Sequence, residues 1–405
     1  PEALAAWSRA PATLARPALR LAAATMVGLS AIALAAWQGG LVSPLPLAVC
    51  LALQGALGLA LRRRVHAILR DVELPGRDLG LLAALLERIE REPAAAPRLA
   101  ALRAALDTDG VAPSRRIAQL QRLINLLDAR RNQFFAPLAP LLLWGTQLGM
   151  AIDAWRAVSG AGIERWLRAV GEFEALCALA AYAYEHPHDP FPQVREDAGP
   201  LFEGRGLGHP LLPAARCVRN DVHLGRDCAV LVISGSNMSG KSTLLRTVGI
   251  NAVLAQAGAP VRAERLALSP LAVGTSMRLL DSLQAGTSHF YAEIQRLRQL
   301  VDLAAAPPPL LFLLDEVLHG TNSHDRRIGA EAVVRGLVGR GAIGLITTHD
   351  LSLAGIVDGL APRAANVHFE DHLEGGVMTF DYRMRPGVVR KSNALELMRA
   401  VGLDV

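Results

Sequence analysis

The sequence predicts an α/β domain with a mostly parallel sheet, preceded by an all-α region that contains a transmembrane helical hairpin. Residues 21–61 carry no charge, residues 71–185 repeat apolar side chains at three- and four-residue spacing, and short apolar runs alternate with helical segments further on. We therefore expect a membrane hairpin in residues 1–70, a helical, lever-like region in residues 71–190 and an α/β domain in residues 191–405.

Composition excludes several classes of protein. Of the 405 residues, 51% are apolar and 20% are charged, and the mean hydropathy is +0.28, so the chain is not intrinsically disordered. Four cysteines without a CxxC pair exclude a disulfide scaffold and a cysteine-rich zinc site. The net charge of +5 is compatible with nucleic acid or an anionic membrane and selects neither. Because the sequence begins with Pro1 and not with Met, we expect it to be a fragment that lacks its N-terminus.

The uncharged stretch predicts two membrane spans, at residues 21–37 and 45–61, with the turn between them. Each approaches the roughly 20 apolar residues that a transmembrane helix needs. Basic residues flank the hairpin on both sides, namely Arg9, Arg16, Arg20, Arg62, Arg63 and Arg64. The positive-inside rule then places both ends in the cytoplasm, as in a multi-pass protein of the inner membrane. The alternative is a buried helical hairpin in a soluble domain.

Two further segments allow more than one interpretation. Residues 132–152 form another uncharged run, but Pro137 and Pro140 interrupt it, which favours a buried core helix over a third span. His186, His188 and Asp189 lie in a proline-rich segment at the end of the helical region. These side chains could be ligands of a metal ion, but the three prolines favour a solvated linker.

A glycine-containing loop predicts a phosphate-binding site. Residues 230–234 (VLVIS) are typical of a buried strand, and residues 235–243 (GSNMSGKST) follow with the pattern GxxxxGK[ST] before a helix. In this context backbone N–H groups surround phosphate oxygens at a helix N-terminus. Lys241 would contact the β- and γ-phosphates, and the Ser242 hydroxyl would hold Mg²⁺. The candidate nucleotide-binding residues are Gly235, Asn237, Gly240, Lys241, Ser242 and Thr243.

Two other apolar runs end in residues that suit phosphoryl chemistry. The run 310–314 (LLFLL) is followed by Asp315 and Glu316, and the run 343–347 (IGLIT) is followed closely by His349. Asp315 is placed to complete the Mg²⁺ site, and Glu316 to polarise an attacking water as a general base. His349 would sense the γ-phosphate or orient that water. A carboxylate pair that only ends a strand, and an ordinary surface histidine, are the simpler alternatives.

Taken in order, these residues resemble the ATPase domain of the MutS family, the mismatch-repair proteins of the ABC-ATPase superfamily. The resemblance covers about residues 206–405. Its motifs are 208–211 (GHPL), 220–222 (NDV), 235–243, 281–293 (DSLQAGTSHFYAE), 315–325 (DEVLHGTNSHD), His349 and 391–393 (KSN). The family usually has an aromatic residue just before the second of these motifs, where this chain has Cys217 and Val218, so the choice between ATP and GTP stays open.

The resemblance implies an ATP- and Mg²⁺-dependent switch. In the family a serine is delivered across a dimer interface to the partner's γ-phosphate, and Ser288 is the matching residue, so a homodimer is expected. DNA, mismatched or branched, is the partner that the family implies.

Three functions therefore remain in view. They are a membrane-tethered, DNA-binding MutS-like ATPase, a membrane-associated ABC-type ATPase acting on a non-DNA client or in transport, and a non-hydrolysing membrane scaffold. The segment around Ser288 fits MutS better than a transporter signature, and one hairpin is too few spans for a transport pathway. The presence of Glu316 and His349 argues against a scaffold.

Overall fold

A computed structural model describes residues 2–73, 79–107, 110–129, 132–197, 199–277, 289–318, 321–374 and 377–389. The chain divides into two compact units, Pro1–Ala178 and Leu179–Val405. Ser288 and residues 391–393 lie outside the described residues.

In the described part of the first unit all regular secondary structure is helical, as the apolar spacing predicts. Its helices are α1 (Glu2–Arg9), α2 (Pro17–Gln38), α3 (Leu45–Glu73), α4 (Leu79–Arg91), α5 (Pro97–Leu106), α6 (Pro113–Asp128), α7 (Leu138–Leu141) and α8 (Trp144–Glu185). The last of these continues into the second unit. Leucine and isoleucine side chains of α4 and α6 form much of the core, with Leu86, Ile117 and Leu120 fully enclosed.

Helices α2 and α3 are long and apolar enough to cross a membrane, by length and composition. Only 11% of the residues in each apolar window are buried. Large apolar side chains point outward along both helices, among them Leu21, Leu29, Ile32, Val49, Leu53 and Leu59. A core helix of a soluble protein would bury such side chains, so the structure does not place these helices in a core.

Polar side chains occupy the contact between α2 and α3. Gln54 is 2% exposed and donates from Nε2 to Ser30 Oγ at 2.7 Å and to the Met26 carbonyl at 2.9 Å. Ala23 is fully buried at the same contact side of α2. At this contact the hairpin thus has small and polar residues, while many of its large apolar residues are exposed.

A buried ion pair fixes the chain that precedes α2 to helix α8. Asp153 and Arg156 are bonded to each other, and both are almost completely buried. Asp153 also accepts the Leu14 N–H at 2.5 Å, while Arg156 donates to the Pro11 carbonyl at 3.1 Å and lies 5.5 Å from the centre of the Trp7 ring. The pair itself lies within one turn of α8, whereas Leu14, Pro11 and Trp7, which contact it, are far away in the sequence.

Residues 132–152 do not form the single buried core helix that their composition favours. Phe134 is 91% exposed, and Leu138 and Leu141 on α7 are also exposed. Leu143, just before helix α8, is 6% exposed, and within α8 the buried residues begin at Leu148. The prolines interrupt the backbone hydrogen bonding of the run, which separates the exposed short helix from the buried one.

The second unit is an α/β domain, as predicted. Its strands are β1 (Gln193–Val194), β2 (Phe202–Leu207), β3 (Asn220–Leu224), β4 (Val230–Ser234), β5 (Arg265–Leu268), β6 (Ala272–Ser276), β7 (Leu310–Asp315), β8 (Ile343–Thr348), β9 (Ala364–Glu374) and β10 (Val377–Pro386). Its described helices are α9 (Lys241–Gln256), α10 (His289–Leu303) and α11 (Ser323–Gly339).

These strands make two sheets. The larger has the order β10-β9-β4-β8-β7-β6, with every pairing parallel except β10 on β9. The smaller has the order β1-β5-β2-β3. Strands β4, β7 and β8 are apolar along almost their whole length because helices cover both faces of a parallel sheet.

The segment after α8 is largely exposed, as at His188 and Phe191, but Asp189 within it is not solvated. Asp189 is 6% exposed and accepts two hydrogen bonds from Arg262, at 3.0 and 3.3 Å, and one from Tyr182 Oη at 3.3 Å. The backbone N–H of Arg262 in turn bonds to Asn251 on α9 at 2.7 Å. Burial, together with the negative charge of Asp189, raises the pKa of Tyr182 to about 12. Asp189 is thus a structural anchor of this unit.

Gly344, in the centre of β8, lies so close to β7 that a side chain there would clash. A substitution at this position tests the packing of the two strands. A Cβ at this position would lie 2.1 Å from the Phe312 carbonyl oxygen. We expect Gly344→Ala to destabilise the second unit by at least about 2 kcal/mol, in the range of overpacked cores.

Thermal unfolding of the purified chain measures this, as a melting temperature lowered by roughly 4–8 °C. Gly339→Ala is the matched control, since nothing lies within 4 Å of a Cβ at this exposed end of α11. Equal melting temperatures for both variants would contradict the packing argument.

Candidate functional site

A tight glycine loop, residues 235–240, connects β4 to α9. Gly235 has φ 149° and Gly240 has φ 106°. A Cβ at Gly235 would lie 2.9 Å from Ser239 Oγ and 3.0 Å from the Phe369 carbonyl, and one at Gly240 would lie 3.2 Å from Tyr382 Cδ1. Both positions therefore require glycine, and the loop delivers the chain into the first turn of α9 at Lys241.

Lys241 is a buried cation inside this loop. Its side chain is 4% exposed, and Nζ donates to the carbonyls of Gly235 at 2.9 Å and Ser236 at 2.7 Å. Burial lowers the pKa of Lys241, while the negative charges of Glu316 and Asp315 act in the opposite direction. A helix N-terminus and a buried ammonium group both favour an anion at the glycine loop.

Asp315 joins the glycine loop to the neighbouring strands. Its Oδ1 atom accepts hydrogen bonds from Ser242 Oγ at 3.0 Å and from Thr347 Oγ1 at 2.6 Å. Ser242 is in the first turn of α9, whereas Thr347 is in β8. The hydroxyl and the carboxylate are hard oxygen donors of the kind that Mg²⁺ takes from a protein when phosphates and waters supply the rest. Among the described residues no three His, Cys, Asp or Glu side chains form a metal-binding group.

Glu316 is held in a left-handed backbone conformation, with φ 51°. Its backbone N–H donates to the Thr347 carbonyl at 3.2 Å and to Thr347 Oγ1 at 3.1 Å. This directs the carboxylate to the end of the sheet, where Oε1 lies 3.4 Å from His349 Nδ1 and 3.9 Å from Lys241 Nζ. A carboxylate between a histidine and a buried lysine is placed to accept a proton from water.

A cavity of about 600 Å³ adjoins the glycine loop. Its apolar wall includes Leu207, Val218, Leu244, Phe369 and Tyr382. Tyr382 has φ 55°, and the side chain of Asn220 fixes its backbone by donating to the Tyr382 carbonyl at 3.0 Å and accepting the Met384 N–H at 2.7 Å. An aromatic ring therefore lines this cavity, although the residues just before Asn220 supply none.

Sequence reasoning missed Tyr382 because no local pattern marks it. The residue lies on β10, 162 positions after Asn220, and only the folded sheet brings the two together. Glu293 was also not assigned a role, although it is 4% exposed and accepts the Leu318 N–H at 2.6 Å. It thereby holds the chain that follows Glu316.

The other candidate residues lie in different surroundings. Asn237 and Thr243 are exposed at the glycine loop and the start of α9, and Thr243 also lines the cavity. Ser288, the residue expected to act across a dimer interface, lies outside the described residues. The structure thus brings Gly235, Gly240, Lys241, Ser242, Asp315, Glu316 and His349 together at one end of the larger sheet.

Residues 231–404 match the family model described as MutS domain V. Over these residues the chain resembles the MutS family. It is 34% identical over 245 residues to the DNA mismatch repair protein MutS of Natronomonas pharaonis, which covers 60% of this chain and 28% of the relative. It is 31% identical over 256 residues to the endonuclease MutS2 of Thermus thermophilus, covering 61% and 32%.

The MutS domain V match contains β4, the glycine loop, β7, β8 and the tyrosine of β10. Another MutS, that of Thermus aquaticus, is 34% identical over 239 residues, or 58% of this chain and 28% of the relative. The chain thus spans about a third or less of the length of these MutS relatives.

The low pKa of Lys241 in this MutS-like domain leads to a prediction about alkaline pH. An anion in the glycine loop favours the charged ammonium and so raises the pKa that burial lowers. At a pH between the pKa of Lys241 in the free site and its pKa in the occupied site, binding of inorganic triphosphate should be accompanied by the uptake of a proton. The affinity for triphosphate should therefore fall as pH rises, by at most tenfold per pH unit.

Calorimetric titration with triphosphate in buffers of different ionisation enthalpy measures this proton uptake. Lys241→Arg is the control, since a guanidinium keeps its charge throughout this range. The same alkaline proton uptake in Lys241→Arg would show that another group is responsible.

Proposed function

We propose that this chain is an ATP-binding and ATP-hydrolysing MutS-like protein, tethered to a membrane, in which a dimeric ATP switch is coupled to DNA binding. The observation that carries the proposal is the convergence of Lys241, Asp315, Glu316 and His349 on one glycine loop. These residues supply groups that can position the reactants and neutralise charge, which are the main requirements of phosphoryl transfer.

The nucleotide would lie along the loop with its base in the adjoining cavity. Backbone N–H groups of the glycine loop and the ammonium group of Lys241 would hold the β- and γ-phosphates. The ring of Tyr382 and the apolar wall of the cavity would contact the base, which supports binding of a nucleoside triphosphate over inorganic phosphate. Ser242 and Asp315 would hold Mg²⁺, which would neutralise charge that develops on the phosphates.

Hydrolysis would depend on the pair formed by Glu316 and His349. Glu316 would accept the proton of the attacking water at Oε1, since its backbone conformation directs the carboxylate toward the glycine loop. His349, at 3.4 Å from the same oxygen, would hold the carboxylate in that position. Asp315 is bonded to two hydroxyls and stays at the strand end, away from that proton transfer.

The proposed dimer and the proposed DNA partner are inferred from the similarity to the MutS family. MutS resemblance implies that Ser288 from a second copy completes each ATP site, so a monomer would bind ATP without full activity. Two of the similar proteins are named for DNA mismatch repair and one is named an endonuclease. The helical region, with the long helix α8, would transmit the ATP state to the DNA-binding part of the assembly.

The proposed membrane tether is inferred from the distribution of apolar and polar side chains in the α2–α3 hairpin. Its apolar side chains are exposed, and its polar contacts through Gln54 and Ser30 are buried. The same hairpin supports the second candidate function, a membrane-associated ABC-type ATPase that acts on a client other than DNA.

The role of Glu316 is tested by Glu316→Gln. The amide keeps the size of the side chain but cannot accept the proton, so ATP should still bind while the hydrolysis rate falls by about 10²–10⁴-fold. Single-turnover hydrolysis and nucleotide binding, measured on the same preparation, separate the two effects.

Glu331→Gln provides the control, since Glu331 pairs with Arg335 on α11, outside the candidate site. If Glu316→Gln hydrolyses ATP at the rate of this control, another group is the base.

The DNA partner is tested by ATP hydrolysis with no DNA, homoduplex, mismatched duplex and branched DNA. We expect the rate to rise severalfold with DNA and to differ among the three structures, because a DNA-reading switch must respond to the form that it binds. A rate that is the same under all four conditions would favour the client other than DNA.

A further inference from the structure

A groove runs along the second half of α3 in the first unit. Its volume is about 540 Å³, and its other wall is the segment from Ala136 to Thr146. Apolar or small side chains line most of it, including Gly55, Gly58, Leu59, Val65, Leu143 and Trp144.

The two glycines make the groove. Nothing lies within 4 Å of a Cβ built at Gly55, and a Cβ at Gly58 would meet only the end of Leu143, at 3.4 Å. Leu59 beside them is 69% exposed. The floor is therefore apolar and open toward the surroundings of the hairpin, on the same helix whose apolar side chains face outward.

Positive charge is concentrated at one end of the groove. Arg62 and His66 line it, and Arg63 and Arg64 are exposed on the same turns of α3. In the described part of the chain no ion pair joins these three arginines to a carboxylate. At the other end, Gln54 lies about 12 Å from Arg62 along the helix. The groove thus has a basic head and an apolar body.

We propose that this groove binds one anionic phospholipid, and this proposal rests on the proposed membrane tether. Arg62 and His66 hold the phosphate at the cytoplasmic boundary, and one acyl chain lies over Gly58 and Gly55 toward Gln54. A phosphate head with an apolar tail is the ligand whose two parts match both ends of the groove. A soluble phosphate compound would leave the apolar body exposed, and a diffuse anionic surface would use the three arginines equally.

The test uses the full chain in nanodiscs of phosphatidylcholine that contain a minor fraction of phosphatidylglycerol. Native mass spectrometry after release into detergent counts the retained phosphatidylglycerol. We expect about one molecule per chain, lowered at least fivefold by Arg62→Gln and less than twofold by Arg64→Gln. Both variants remove one arginine charge from the same helix, but only Arg62 lines the groove.

A second pair of variants tests the apolar body. Gly55→Leu places a side chain in the groove, whereas Gly28→Leu adds the same side chain to α2, where nothing lies within 4 Å and no groove residue is altered. Retention should fall at least fivefold for Gly55→Leu and stay unchanged for Gly28→Leu. Equal losses within either pair, or no preference for phosphatidylglycerol over phosphatidylcholine in the unaltered chain, would overturn the groove proposal.

Membrane integration is measured separately, by resistance of the chain to alkaline carbonate extraction. A chain that integrates and retains no phosphatidylglycerol refutes the groove alone. A chain that is extracted refutes the membrane tether, and the lipid groove with it. Neither result tests the proposed ATP site at Lys241 and Glu316, because the groove lies wholly in the first unit.

Discussion

The parallel pairing of β4, β8 and β7 is the constraint on which the candidate site depends. Parallel strands that run side by side end at the same edge of a sheet, so the residues that follow them must meet. The register sets Ser234 opposite Thr348, and Asp315 opposite Thr347. Hydrogen bonds of Asp315 to Thr347 and to Ser242 then join the ends of β7 and β8 to the first turn of α9. Without that register the glycine loop, the carboxylates and the histidine would be separate features of three different segments.

Much of this edge could be predicted from the sequence because its signals are local. A buried apolar run followed at once by a glycine loop, or by two carboxylates, marks a strand and its end without reference to the rest of the chain. Tyr382 and Asp189 could not be found in this way. The first depends on an antiparallel edge strand and on Asn220 far away, and the second on an arginine that reaches it only after folding. Proline-rich composition described the Asp189 segment correctly as non-helical and largely exposed, but it did not indicate that Asp189 itself is buried.

In the helical unit, too, local sequence patterns predict some features, while others depend on contacts that form only in the folded structure. Three- and four-residue spacing predicts α4 and α6, and the absence of charge predicts α2 and α3. Spacing alone cannot predict the Asp153–Arg156 pair, since a buried salt bridge depends on partners such as Leu14 that close around it. Nor can composition separate the exposed and buried parts of residues 132–152, because both parts are equally apolar. What decides between them is which neighbours the fold supplies, and that is a property of the tertiary structure.

The left-handed backbone at Glu316 has a consequence for how such a domain evolves. A residue with a Cβ in this conformation costs of order 1–2 kcal/mol relative to glycine, and Leu318 and Tyr382 share the conformation nearby. At Glu316, replacement by glycine would relieve this backbone cost but would also remove the carboxylate that lies 3.4 Å from His349 Nδ1. If Glu316 is the proposed base, the stability of the backbone and the chemistry of the site are opposed at this position. Directed evolution of a more stable variant would have to gain its stability elsewhere.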